Sequence, residues 1–169
     1  MRPCLSALVL LSFVALSGCG QGLSPEEQAL QDERDIALVE QANAAGPPAR
    51  EISPEPIGAP DIERHDLSGQ ACNYAPGTSL GTRVIAREAD AWMKIDGEMV
   101  RFAADPGSRE MPGDTRSLYN GKTFALQLAV SGEGKPAGTG TTDYEGTITL
   151  RDAWGREVYE GSGLAQCSG

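Results

Sequence analysis

Residues 91–103 read Ala-Trp-Met-Lys-Ile-Asp-Gly-Glu-Met-Val-Arg-Phe-Ala. The Asp96-Gly97 pair at the centre is the strongest hairpin signal in the chain, because both residue types tolerate the positive φ that a two-residue turn needs. The flanks alternate at period two, the strand period, so Met93 and Ile95 are expected to share one face with Val100 and Phe102. The spacing therefore predicts two short antiparallel strands, 91–95 and 98–103.

The same period recurs on either side of this hairpin. Arg83, Val84, Ile85, Ala86 and Arg87 form one predicted strand. Phe124, Leu126, Leu128 and Val130 alternate with Thr123, Ala125, Gln127 and Ala129. Residues 146–152 and 157–159 flank a second turn, Ala153-Trp154-Gly155-Arg156. Glycine-rich breaks are expected over 105–113 and 131–140. About six short strands in 63–169, with little room for a long helix, predict a mainly β domain. Its architecture is a small antiparallel barrel or a sandwich. Both Trp, all four Tyr and two of the three Phe fall in this region, so the core is expected there.

Composition bounds the rest. At 169 residues, 40% apolar and 22% charged, the chain has the make-up of one folded domain. A net charge of -10 argues against a nucleic-acid binder, which needs a basic face to displace counterions. One histidine in the chain removes most histidine-dependent catalytic arrangements. The acidity is uneven: residues 20–62 carry nine acids against two bases, and residues 63–169 fifteen against eleven. The charge thus belongs mainly to the segment before the β domain, and the domain itself does not select a strongly basic partner.

The N-terminus carries a different signal. After Arg2, residues 5–16 are apolar apart from two serines. As a helix they would span about 18 Å, too short for a ~30 Å hydrocarbon core but suited to a secretory signal. The segment ends in Leu16-Ser17-Gly18-Cys19, which resembles the bacterial lipobox. The resemblance implies removal of residues 1–18, diacylglycerol on the Cys19 sulfur and acylation of the new amine. Two or more acyl chains hold a protein stably on a lipid bilayer without a transmembrane helix. Gly20, rather than Asp, follows the cysteine, which by the same resemblance implies the periplasmic face of the outer membrane. The alternative is an ordinary signal peptide cut nearby, with Cys19 left as a spare thiol.

Residues 19–62 are expected to form an acidic stalk. Ser24-Pro25-Glu26-Glu27 has the pattern of a capping box with proline in the first turn, predicting a helix over about 25–45. It reads as a solvated spacer rather than a docking helix. Residues 46–61 contain Pro47, Pro48, Pro54, Pro56 and Pro60. They are expected to form an extended linker reaching on the order of 50 Å, with the β domain beginning at 63. With Cys4 in the signal segment and Cys19 assigned to lipid, Cys72 and Cys167 remain as an even pair, and a disulfide is expected in an oxidising compartment. A two-cysteine metal site lacks further ligands, and neither a metal nor another cofactor is expected.

Other residues were weighed as carriers of chemistry. His65, among Glu63, Arg64 and Asp66, is expected to be a solvated junction residue rather than a pH-sensitive contact. Gly121-Lys122-Thr123 lacks the upstream glycine and following helix of a phosphate loop, and Gly132-Glu133-Gly134 lacks the third glycine of a dinucleotide fingerprint. Glu88, Asp90, Asp96 and Glu98 can be read as a Ca²⁺ or acid–base cluster. Interleaved Arg87, Lys94 and Arg101 favour solvent-face charge pairing instead, and Asp143 and Glu145 read as loop carboxylates. Trp92 is expected to be core or half-buried. Trp154, flanked by Arg151 and Arg156, is a candidate partner contact, with packing over the barrel end as the favoured alternative.

These features point to a non-enzymatic, membrane-anchored envelope protein that binds an envelope protein or peptidoglycan. Small lipid-anchored β-barrels with one disulfide are also similar to bacterial membrane-bound lysozyme inhibitors, a resemblance of architecture over about 63–169. The inhibitors' Ser-Gly-x-x-Tyr loop motif has its nearest counterpart here in Arg116-Ser117-Leu118-Tyr119, without the glycine, so no functional residue is carried over. An envelope hydrolase is the least supported class.

Overall fold

The computed structural model describes residues 23–79 and 81–168. The expected signal segment with Cys4, and the expected lipid site Cys19, lie outside the described residues. The chain divides into two compact units at Gly46/Pro47.

In the first unit, helix α1 spans Pro25–Ala45. Its predicted capping box is present: Ser24 Oγ accepts from the Glu27 backbone N–H, and the Glu27 carboxylate accepts from the Ser24 N–H at 2.9 Å. The Ser24 N–H and the Ser24 hydroxyl, both donating to the Glu27 carboxylate, hold its carboxyl below the usual range. Leu30, Ile36, Leu38 and Val39 are exposed. The apolar residues are spread around the helix rather than gathered in one stripe, so its local stability rests on the cap and good helix formers.

The second unit is built on a closed antiparallel barrel. Helix α2 (Ala59–His65) precedes β1 (Cys72–Pro76), β2 (Val84–Ala86), β3 (Asp90–Ile95) and β4 (Glu98–Ala104). The short strands β5 (Glu110–Met111), β6 (Thr115–Arg116) and β7 (Leu118–Asn120) follow. The long strands β8 (Phe124–Gly138), β9 (Thr141–Asp152) and β10 (Glu157–Ser168) complete the unit. Eight of these strands close in the order β1-β10-β9-β8-β7-β4-β3-β2, with β5 and β6 as a separate ribbon. The expectation of about six strands lacks β1 and β7 of the barrel and the two-residue strands β5 and β6. Each is too short or too mixed in polarity to show a period of its own.

The Asp96-Gly97 hairpin forms as expected. Asp96 and Gly97 have φ of 53° and 79°, and Ile95 pairs with Glu98 across the turn. The predicted inward set also holds. Met93, Ile95 and Phe102 are buried, and Val100 packs on the same cluster with Leu126 and Leu128. Strand β2 is buried at all three positions, which explains its continuous apolar run, Val84-Ile85-Ala86. Val84 and Ala86 join the interior, while Ile85 faces a second cluster with Ile57, Leu67 and Ala71, flanked by Ile62 and Trp92.

Two expectations are corrected here. The proline-rich segment is not a free linker. Residues 47–61 belong to the barrel unit. Ile52 N–H donates to Val158 O, Glu55 N–H to Lys94 O, and Ile57 N–H to Thr82 O, at 2.8–2.9 Å. At these points β10 and β3 have no strand on that side, so their edges are open. The extended backbone that proline enforces leaves the N–H groups of the intervening residues free to satisfy those edges. Ile52 and Ile57 are buried, and Asp61 forms an ion pair with Lys94 at 3.1 Å. Pro60 sits in the first turn of α2, where its missing N–H costs nothing.

The second correction concerns residues 131–140, expected as a break. Strands β8 and β9 run on through most of this stretch as an exposed arm, with bulges between Ser131 and Lys135 and between Pro136 and Gly138. A Cβ on Gly134 would lie 2.6 Å from the Tyr144 ring, so the glycine makes room for that aromatic across the strand pair. Asp143 and Glu145 accordingly lie on β9 rather than in a loop.

Cys72 and Cys167 are disulfide-bonded and stand opposite each other on β1 and β10, with Cα atoms 4.0 Å apart. The neighbouring pair is tied by Ser168 N–H to Ala71 O, so the cysteines occupy the closer, non-hydrogen-bonded kind of pair.

Two outcomes follow for stability. Ile52→Ala is expected to lower the unfolding free energy by about 2–5 kcal/mol, read by urea denaturation, although it lies in a segment that looks like linker. Reduction of Cys72–Cys167, separated by 95 residues, is expected to lower stability by up to about 4–5 kcal/mol on the chain-entropy account. An unchanged midpoint in either experiment contradicts the closure described here.

Candidate functional site

The β9–β10 turn is the place where the structure presents a large aromatic to solvent. Asp152 N–H donates to Arg156 O, closing the ladder, and Gly155 N–H donates back to Asp152 O, both at 2.9 Å. Gly155 adopts φ of 75°, which a side chain would resist. The Asp152 carboxylate organises the turn. Its Oδ1 accepts from the backbone N–H of Trp154 and of Arg156, and its Oδ2 accepts from Arg156 Nε at 2.8 Å. Burial pushes the Asp152 carboxyl up, but the bonds from Arg156 and Trp154 outweigh it and hold the group below the usual range.

Trp154 is 53% exposed at this tip. The favoured expectation, that it folds over the barrel end, is corrected. The Asp152 side chain takes up the Trp154 N–H and fixes the turn, and the indole projects from it. The Arg156 guanidinium stands 5.2 Å from the indole centre. The structure thus brings Trp154, Arg151 and Arg156 together, but not as three equivalent contacts. Arg156 is held by Asp152 and donates through Nη1 to Pro47 O at 2.6 Å. Arg151 donates to Gly155 O and pairs with Glu157 at 3.4 Å. The two arginines clamp the turn, and the indole is the group left to meet something else. The sequence signal for the organiser was Asp152 followed three residues later by Gly155, an Asx-turn pattern.

The other candidates fall into place by their partners. Asp90 is buried and accepts from Arg87 Nε at 2.8 Å and Arg101 Nε at 2.9 Å. Burial raises its carboxyl, and the two guanidiniums more than offset this, leaving it below the usual range. Charge pairing is therefore present, but Asp90 is enclosed rather than on a solvent face. Asp96 pairs with Arg50, away from Asp90, and the proposed cluster with Glu88 and Glu98 is not assembled. Among the described residues, no group of three or more His, Cys, Asp or Glu is placed to hold a metal ion.

His65 is also corrected. It is half-buried, with its ring centre 4.8 Å from that of Trp92, where α2 lies on the sheet. Trp92 is itself half-buried, as expected. Gly121-Lys122-Thr123 forms the tight β7–β8 turn, with Gly121 N–H bonded to Phe124 O, and β8 follows it. Tyr119 is fully buried. Its hydroxyl donates to Arg87 O at 3.0 Å and accepts from Arg116 N–H at 2.7 Å. Ser117-Leu118-Tyr119 is therefore part of the barrel wall, not an inserting loop. Among the described residues, no helix is long and apolar enough to cross a membrane.

The ion pairs set a pH dependence. Asp90 and Asp152 are held below the ordinary aspartate value of 3.8, so their contribution to stability is present above that value. It is lost as the pH falls through their lowered values. The thermal midpoint is expected to stay level from neutral pH down to about 5 and then to fall steeply below about 4. Asp90→Asn should lower the neutral plateau and flatten the acid limb. Asp152→Ala should loosen the turn, read as a fall in Trp154 fluorescence anisotropy, whereas Asp152→Asn, which keeps an acceptor for the two backbone N–H groups, should lose less. No protein-family model, curated protein or solved structure matches this chain.

Proposed function

We propose that the chain is a lipid-anchored protein of the cell envelope. In this reading residues 1–18 are removed and Cys19 is acylated, and the barrel is a non-enzymatic binding module on the periplasmic face of the outer membrane. The anchor rests on the run from Leu5 to Cys19. The disulfide between Cys72 and Cys167 suits an oxidising compartment.

The observation that carries the binding role is the exposure of Trp154 on a turn locked by Asp152 and Arg156. An ordered aromatic costs little further conformational entropy on binding, which is what makes such residues effective anchors. The barrel interior is packed with side chains such as Tyr74, Phe102 and Tyr119, so recognition belongs to the outer surface. An envelope protein, peptidoglycan and the bilayer itself are the candidate counterparts. Lysozyme inhibition draws support only from the closed barrel and the disulfide, since Tyr119 lies in the wall.

Mass spectrometry of the mature N-terminus is expected to find acyl groups on Cys19, and an unmodified cysteine there removes the anchor. Crosslinking in intact envelopes from a photoreactive residue next to Trp154 is expected to trap a reproducible product that Trp154→Ser abolishes. If excess mature chain leaves lysozyme activity unchanged, inhibition is excluded.

A further inference from the structure

We propose that the Trp154 turn docks on the surface of the same bilayer that holds the chain's anchor. This rests on the lipid-anchored reading of Cys19 and names the occupant of the turn. The barrel unit begins at Pro47, and the Pro47 carbonyl accepts a hydrogen bond from Arg156 Nη1. The polypeptide coming from Cys19 therefore joins the barrel unit beside Trp154, so the tether and the exposed indole share one end of that unit. Trp154 is the exposed large aromatic among the described residues; the other exposed apolar side chains are aliphatic.

The chemistry of the tip suits an interface of lipid and water. An indole carries an apolar body and one N–H donor, the combination enriched at headgroup depth. The local charges cancel, because Arg156 is paired with Asp152 and Arg151 with Glu157. The contact is therefore apolar rather than electrostatic and has no need of anionic lipid.

A single indole holds a free protein on a bilayer only weakly. The tether changes this by making the second contact intramolecular, with an effective concentration set by its length. Residues 20–46 separate the lipid site from Pro47, and the helical part, 21 residues, spans about 32 Å. Such a tether raises the effective concentration of the indole at the bilayer surface.

The test uses the chain from Cys19 onward, with Cys72 and Cys167 disulfide-bonded and Cys19 coupled through its thiol to a maleimide phospholipid in phosphatidylcholine vesicles. The chain has two Trp, so the emission of Trp154 is obtained as the difference between the wild-type chain and Trp154→Ser. Circular dichroism establishes that both fold alike. The expected result is a blue shift of the Trp154 emission on coupling and a loss of most of its intensity when the vesicles contain brominated lipid. Unshifted, unquenched Trp154 emission overturns the proposal. Crosslinking of Trp154 to an envelope protein in place of lipid overturns it in favour of a protein partner. Because the coupling is chemical, the optical result is independent of whether cells acylate Cys19; mass spectrometry of the native N-terminus decides that separately.

Discussion

Closure through β1 is the constraint on which the barrel depends. A strand of five residues pairs with β10 over its whole length and with β2 at three positions, joining the last strand of the sheet to the first hairpin. Without it, β10 and β2 would be exposed edges, each a row of unsatisfied N–H and carbonyl groups and a template for misassembly. The Cys72–Cys167 bond clasps this seam, where the chain's first barrel strand meets its last. It confines the unfolded chain across a separation of 95 residues, a contact whose loop-closure entropy is large.

Closure is incomplete at one end, and the proline-rich strap makes it good. Strand β10 before Gly163 and β3 after Met93 have no strand partner on the side where β1 and β2 have ended. Ile52 satisfies one edge and Glu55 the other, and Ile52 adds its side chain to the interior. The strap and α2 together cover the outer face of β2 and β3, so that part of the sheet is buried on both sides. The carboxylates in this layer are paired: Asp61 with Lys94, and Asp90 with Arg87 and Arg101. A buried carboxylate without such partners would cost several kcal/mol. Much of the charged sequence around the strands is therefore spent on holding the layer together.

The same economy shapes the Trp154 turn. One carboxylate, Asp152, holds two backbone N–H groups and a guanidinium, and that guanidinium in turn holds the Pro47 carbonyl. These bonds hold the turn within the protein, and the indole, with the Arg156 guanidinium 5.2 Å from its centre, is left half-exposed.

The Asp96-Gly97 hairpin, the alternation from Phe124 to Val130, the Ser24 capping box and the Cys72–Cys167 pair were legible because each is written in local chemistry: turn residues, a period of two, a cap and a cysteine count. The lipobox resemblance is likewise local. The fate of Ile52, Ile57 and His65 was not legible. Nothing in their neighbours shows that the open edge of β10, the Thr82 carbonyl and Trp92 await them, contacts that lie 25 to 106 residues away. Trp154 was visible as a turn residue, but whether it folds inward or projects depends on Asp152 and Arg156 closing on each other. Turns, the helix cap and the strands with a clear period of two are readable from neighbouring residues, whereas β1, β7 and the course of β8 through 131–138 are not. Only the tertiary structure decided which edges remained open and what covered them, because an edge exists only once the sheet has formed.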